Sequence, residues 1–274
     1  SINQDMSCAT CHKAELAFTD GQKSFKGQQR NTPMLSYATF QQNFFYDGRS
    51  GSLEGQIVDV VENKNEFHSN LKHFVNVVKN DTSYSNALAL YYDDIDDYTV
   101  RNTISTYVRG LNKFNSTFDL AINNLKEEKL STQEINGFNL FTGKAKCATC
   151  HFAPVFNGTI PPNFNETEFE SIGVPSIKDS LVMDKDYGRF NVFKTEARKG
   201  YFKTPSIRNI SITGPYMHNG VFNTLEEVMH FYNKGGGKGI GLDIENESLP
   251  SAPLNLSDSE ISDVISFMLT LKDN

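Results

Sequence analysis

The chain has 274 residues, a net charge of -7 and a sequence pI near 5.4, with 38% hydrophobic and 22% charged residues. That balance is globular rather than disordered, and an acidic surface argues against nucleic acid as a partner. The length suggests about two domains, and no apolar run approaches the ~18 residues that cross a bilayer.

The first element is Cys8-Ala-Thr-Cys11-His12, and it recurs as Cys147-Ala-Thr-Cys150-His151, which accounts for all four cysteines. C-x-x-C-H is the attachment motif of c-type haem. The two-residue gap lets both sulfurs reach the porphyrin edge as thioethers, and the adjacent histidine binds iron. A four-cysteine zinc site keeps its pairs about 15–20 residues apart and would leave both histidines unexplained. The βαβ surroundings of a redox C-x-x-C pair are missing. Two covalent haem c groups are therefore expected, attached at Cys8, Cys11, Cys147 and Cys150, with His12 and His151 on iron. Such haems mature outside the cytoplasm, usually in the bacterial periplasm. No basic stretch followed by an apolar run opens the chain, so it is expected to be a mature or trimmed form of an exported protein.

After the first motif come Thr32-Pro33, Tyr46-Asp47-Gly48 and Ser52-Leu53-Glu54, the last reading as a capped helix start. The acidic run at 93–97 reads as a solvated helix start. Val100, Ile104, Tyr107, Val108 and Leu111 then form an apolar stripe that closes the first half. A polar stretch at 120–131 marks a domain boundary, placed between residues 125 and 126. Ser131 with Glu134 is a capping box, and it opens a helix carrying Ile135, Phe138 and Phe141 into Cys147. The first motif has no such leading helix, so residues upstream of Ser1 are expected in the precursor.

In the second half Thr204-Pro205, His218-Asn219-Gly220 and Thr224-Leu225-Glu226 repeat the earlier series at a constant offset of 172 residues. The haem motifs are offset by only 139, so the second half carries an insertion, at about 152–202, that reads as a long surface loop. His230 reads as solvent-facing, and the glycine run at 235–239 as a mobile loop rather than a phosphate loop. Ser257 with Glu260 opens a last helix with Ile261, Val264, Ile265 and Met268 at helical spacing. The fold class is mostly α, with two cytochrome c-like domains, 1–125 and 126–274, each holding one haem c.

Joined to these motifs, Arg30-Asn31-Thr32-Pro33, Phe45-Tyr46-Asp47-Gly48-Arg49 and Pro215-Tyr216-Met217-His218-Asn219-Gly220 resemble the bacterial di-haem cytochrome c peroxidase / MauG family. The resemblance covers essentially the whole chain. It implies an N-terminal haem that reacts with hydrogen peroxide. It also implies a C-terminal haem that takes electrons from a small cytochrome c or cupredoxin. Glu66 and Gln56 match the family's distal acid and amide. A carboxylate there can shuttle a proton between the peroxide oxygens, and an amide can hold the peroxide. The family also implies one calcium ion between the domains, on the Asn31 side chain and the carbonyls of Thr213 and Pro215.

Three departures from the family pattern shape the expectation. No histidine lies between His12 and His68, so the first iron is expected to be open or water-bound and high-spin. His68 and His73 lie near Glu66 and are alternative ligands of that iron, although both read first as surface residues. Tyr232 stands where the peroxidases place a methionine on the second iron, as in MauG, with Met217 and Met229 as alternative ligands. Tyr46 replaces the tryptophan between the haems, and a tyrosine must release its proton to be oxidised. The leading reading is a cytochrome-c peroxidase. The alternatives are a MauG-like oxidase acting on a partner protein or organic substrate, and a plain electron carrier, against which Glu66 and Gln56 count. No membrane span is expected, and a homodimer is left open.

Overall fold

The structure is a computed structural model that describes residues 1–25, 28–125 and 129–274. Residues just beyond the expected domain boundary, 126–128, lie outside the described residues. Short helices dominate, and most begin at a residue whose side chain accepts a backbone N–H. α1 (Cys8–Cys11) is one turn. α2 (Leu53–Glu62), α3 (Leu71–Asn80), α4 (Thr82–Leu88) and α5 (Asp97–Arg109) are capped by Ser52, Asn70, Asp81 and Asp96. α6 (Thr117–Ile122) and α7 (Thr132–Thr142) open with capping boxes, Ser116/Asp119 and Ser131/Glu134. α8 (Arg189–Phe193), α9 (Leu225–Asn233) capped by Thr224, and α10 (Gly236–Gly239) follow. α11 (Asp258–Leu269) begins with the predicted Ser257/Glu260 box. One antiparallel ribbon joins β1 (Phe169–Glu170) to β2 (Phe202–Lys203), pairing Phe169 with Lys203.

The 172-residue repeat is written into the backbone. Helical turns at Ala38–Phe40 and Ile210–Ile212 correspond, as do the starts of α2 and α9. The Phe44–Ser50 bridge returns as Tyr216–Phe222. Left-handed residues recur at the same steps: Tyr37 and Asn209, Phe45 and Met217, Gly48 and Gly220. Such conformations strain side chains other than glycine, so their recurrence reflects a shared chain path. Even the contact made by each half with its last segment is matched, with Tyr37 N–H donating to Leu111 O and Asn209 N–H to Leu271 O.

The larger core belongs to the second half, where α7 lies against α11. Gly137 makes the crossing close, because a Cβ there would sit 1.9 Å from the Asp263 carbonyl oxygen. Phe141, Phe267, Val264 and Leu271 are fully buried around it. Phe118 of α6 packs into the same core although it precedes the expected boundary. A smaller cluster of Ala38, Phe44, Leu53 and Val108 supports the first half.

Four local expectations change. Tyr107, placed on the buried stripe, is 62% exposed, because the burial of α5 runs through Val100 and Val108 instead. Ile135 is 46% exposed, since the narrow face of α7 is filled by Gly137 and Phe141. The glycine run is not a loose loop: it forms α10, with Gly237 N–H donating to Ile172 O and its Cα against Gly173. Absent side chains are what permit that contact. The insertion after the second motif also does more than cover the surface, because its Asp186 is buried against Arg30 of the first half. No described helix is long and apolar enough to cross a membrane.

Candidate functional site

The two C-x-x-C-H segments are built alike. At the first, the turn of α1 carries Cys8 and Cys11, and His12 follows as its cap. His12 Nδ1 lies 2.7 Å from Phe18 O. A carbonyl only accepts, so this contact makes Nδ1 the protonated nitrogen and leaves Nε2 with its lone pair. At the second, His151 Nδ1 lies 3.2 Å from Phe156 O and 3.1 Å from Pro205 O. Burial pushes both imidazoles below their ordinary pKa, which favours the neutral, ligating form.

The cysteines do not resemble redox or zinc thiolates. None is in a disulfide. Burial pushes the Cys147 thiol up to about 12 and the Cys150 thiol up to about 11, with Cys8 also raised. Nucleophilic and metal-binding cysteines are shifted the other way.

The residues fit haem. Both histidines present an oriented Nε2, Cys8 is exposed, and Cys11, Cys147, Cys150, Tyr46, Met217 and Tyr232 are partly buried. The chain exposes 14148 Å², where a compact chain of its mass exposes about 11,900 Å².

Beside the first motif stands the loop that follows α2. Asn63 Nδ2 donates to Glu66 Oε1 at 2.7 Å. Burial raises the Glu66 carboxyl above the ordinary carboxylate value, against the opposing pull of Asn63 and Arg49. Ile2 N–H donates to Phe67 O at 2.9 Å, which ties the Glu66 loop to the segment leading into Cys8. Gln56 is half-buried on α2, and among the described residues no hydrogen bond joins it to Glu66. His68 is exposed.

Tyr46 lies at the seam between the halves, its carbonyl accepting from Lys203 N–H at 2.7 Å. Burial pushes its phenol well above the ordinary value. Next to it, Arg30 donates to Asp47 at 2.6 Å and to both oxygens of Asp186, at 2.5 and 3.0 Å. Asn31 is buried, its N–H donates to His218 O at 2.7 Å, and its side-chain amide donates to Pro215 O. Asn31 and Pro215 are thus in direct contact, while Thr213 places its hydroxyl on Ile210 O. Holding a cation requires the Asn31 amide to turn its oxygen toward Pro215, an exchange of like-shaped ends.

At the second motif, Tyr232 lies in the last turn of α9, electrostatically close to Cys147, Cys150 and Glu170, and burial raises its pKa. Met217 is half-buried near it, whereas Met229 is 3% exposed and packs in the core of the second half. His218 stacks on Phe202 at 3.8 Å, with Nε2 3.4 Å from Asp184 Oδ1. Sequence reasoning missed Lys203, Asp184, Asp186 and Asn63. The repeat held one signal: Lys203 stands 172 residues after Asn31, so it occupies an equally buried position.

Comparison with known proteins decides the family. The family model described as di-haem cytochrome c peroxidase matches residues 1–127. Methylamine utilization protein MauG of Methylorubrum extorquens is 30% identical over 99% of this chain and 74% of its own length. The chain belongs to the di-haem cytochrome c peroxidase / MauG family. Cytochrome-c peroxidase IdrP2 of Denitromonas iodatirespirans is 29% identical over 99% of this chain and 77% of its own. A crystal structure of a MauG-like protein associated with microbial copper homeostasis superposes with a TM-score of 0.83 at 26% identity, covering 99% of this chain and 85% of that one. The di-haem peroxidase BthA of Burkholderia thailandensis shares the fold, with a TM-score of 0.76 at 21% identity over 100% of this chain and 82% of that one. The mostly helical fold is thus that of di-haem peroxidases, and relatives named as peroxidases and as MauG stand at similar distance.

Proposed function

We propose that this chain binds two haem c groups, through Cys8, Cys11 and His12 and through Cys147, Cys150 and His151, and reduces hydrogen peroxide to water. The balance is one peroxide, two electrons and two protons giving two waters. The observation that carries the reading is the pairing of an oriented His12 Nε2 with a nearby loop that presents a half-buried carboxyl of raised pKa, Glu66. Each half acts as a cytochrome c-like domain, 1–125 and 126–274. Haem covalently bound in this way supports a periplasmic location, and a small cytochrome c or cupredoxin supplies the electrons at the second domain.

When bound at His12, haem supplies the electron transfer to peroxide. The chain's residues supply the rest. Phe18 O fixes the tautomer and angle of His12. Glu66 takes a proton from the near peroxide oxygen and returns it to the leaving one, and its raised pKa suits both halves of that exchange near neutral pH. Asn63 holds one carboxyl oxygen still, so the other is the working atom. Gln56 offers an amide to steady the peroxide. Tyr46 stands at the seam, on the path between the halves, and its buried phenol ties any oxidation there to release of a proton. A calcium ion held by Asn31, Thr213 and Pro215 would stiffen the same seam.

One observation favours the second reading, a MauG-like oxidase: Tyr232 of α9 is electrostatically close to Cys147 and Cys150 of the second motif. Steady-state assays with peroxide and reduced small cytochrome c separate the two. Sustained donor oxidation supports the peroxidase. Peroxide consumption without donor turnover, accompanied by oxidation of a partner protein, supports the oxidase.

A further inference from the structure

Lys203 is 7% exposed. Its backbone N–H donates to Tyr46 O, but its ammonium has no hydrogen-bond or ion-pair partner among the described residues. Buried charges in folded proteins are paired or are given up, because desolvation of a lone ammonium costs several kcal/mol. Burial alone pushes this one down to about 8, and no charged partner offsets it. Three carboxylates of the seam are taken by other partners. Asp47 and Asp186 are held by Arg30, and Asp184 by His218 and Asn219. A buried ammonium that no side chain of the described residues meets is a receptor for an anion that the chain itself does not provide.

β2 places this receptor. Two residues on, Pro205 O holds His151, while Glu168 and Glu170 of the paired segment lie beside Cys150. On the other side, Lys203 meets the Tyr46 segment that leads toward the first half. The anion that belongs at the seam of a di-haem protein is a porphyrin carboxylate. We propose that Lys203 is the counter-charge of a haem propionate at the seam between the halves, and so raises the reduction potential of that haem. This rests on the reading that two haems are bound. A nearby cation favours the reduced form, which carries one positive charge fewer on iron.

The test is a mediated optical redox titration of the holoprotein and of K203M, K203Q and K203R, with haem counted by pyridine haemochrome. In K203M and K203Q, one of the two reduction equilibria shifts about tenfold toward the oxidised form, or ~59 mV for one electron, while the other stays. K203R keeps both wild-type potentials. The resonance Raman propionate-bending band moves in the neutral variants and not in K203R. Should the methionine variant fail to fold, the glutamine variant carries the test. Two haems with both potentials unmoved overturn the role of Lys203 and leave the haem reading intact. A wild-type chain without haem overturns the haem reading itself.

Discussion

Asn31 and Lys203 are mates across the internal repeat, and each reaches into the opposite half. Asn31 N–H donates to His218 O and Lys203 N–H donates to Tyr46 O, both at 2.7 Å, and His218 and Tyr46 are themselves mates 172 residues apart. The two halves are therefore joined by a reciprocal pair of backbone hydrogen bonds about a pseudo-twofold. What differs is the side chain: an amide that meets Pro215 on one side, a lone ammonium on the other. The asymmetry of the seam arises from substitutions on a duplicated backbone.

Glu66→Gln keeps size and the Asn63 contact but removes the proton shuttle. Peroxide turnover falls roughly 100-fold or more, while both haems are retained, as read by steady-state kcat and a haem count. The pH profile follows from the direction of the shift. The working form is the carboxylate, and a raised pKa means it is lost at a higher pH than an ordinary glutamate would lose it. The acid limb of kcat/KM in the wild type therefore lies above the ordinary carboxylate range.

Arg30 holds two buried carboxylates from opposite halves. Arg30→Met leaves Asp186 buried without its cation and lowers stability by about 3 kcal/mol, read from urea unfolding. R30M with Asp186→Asn recovers part of that loss, because the orphaned charge goes with it.

Asp184 contributes an acid-sensitive component. Burial pushes its carboxyl upward, but hydrogen bonds from His218, the Asp186 N–H and Asn219 outweigh that and hold it at about 2. A depressed native pKa stabilises above the unfolded value, about 3.9, and is lost as pH falls through the folded one. The stability gap between wild type and Asp184→Asn is thus constant near neutrality and narrows from about pH 4 toward about 2. Urea midpoints across that range measure it.

Gly137→Ala tests the helix crossing. A Cβ at 1.9 Å from Asp263 O cannot be accommodated without separating α7 from α11. The expected cost is about 1–3 kcal/mol, seen as a lower thermal midpoint.

Much of the frame was legible because it is local. The caps at Ser52, Ser131 and Ser257 need only a side chain and an N–H three residues on, and the repeat needs only spacing. The haem motifs are equally local. Long-range pairs left no such trace: nothing about Arg30 announces Asp186, 156 residues away. Periodicity also misjudged width. It put Tyr107 and Ile135 inside because it counts apolar residues, while the actual faces of α5 and α7 are set by how closely their neighbours approach. For the glycine run, composition suggested mobility, whereas the fold uses the missing side chains to bring α10 onto Gly173.

The first iron decides between peroxide chemistry and electron transfer alone. EPR of the oxidised holoprotein, recorded before and after addition of peroxide, addresses it most directly. The predicted result is one high-spin ferric signal, lost on peroxide, beside one low-spin signal. Two low-spin signals that ignore peroxide would contradict it.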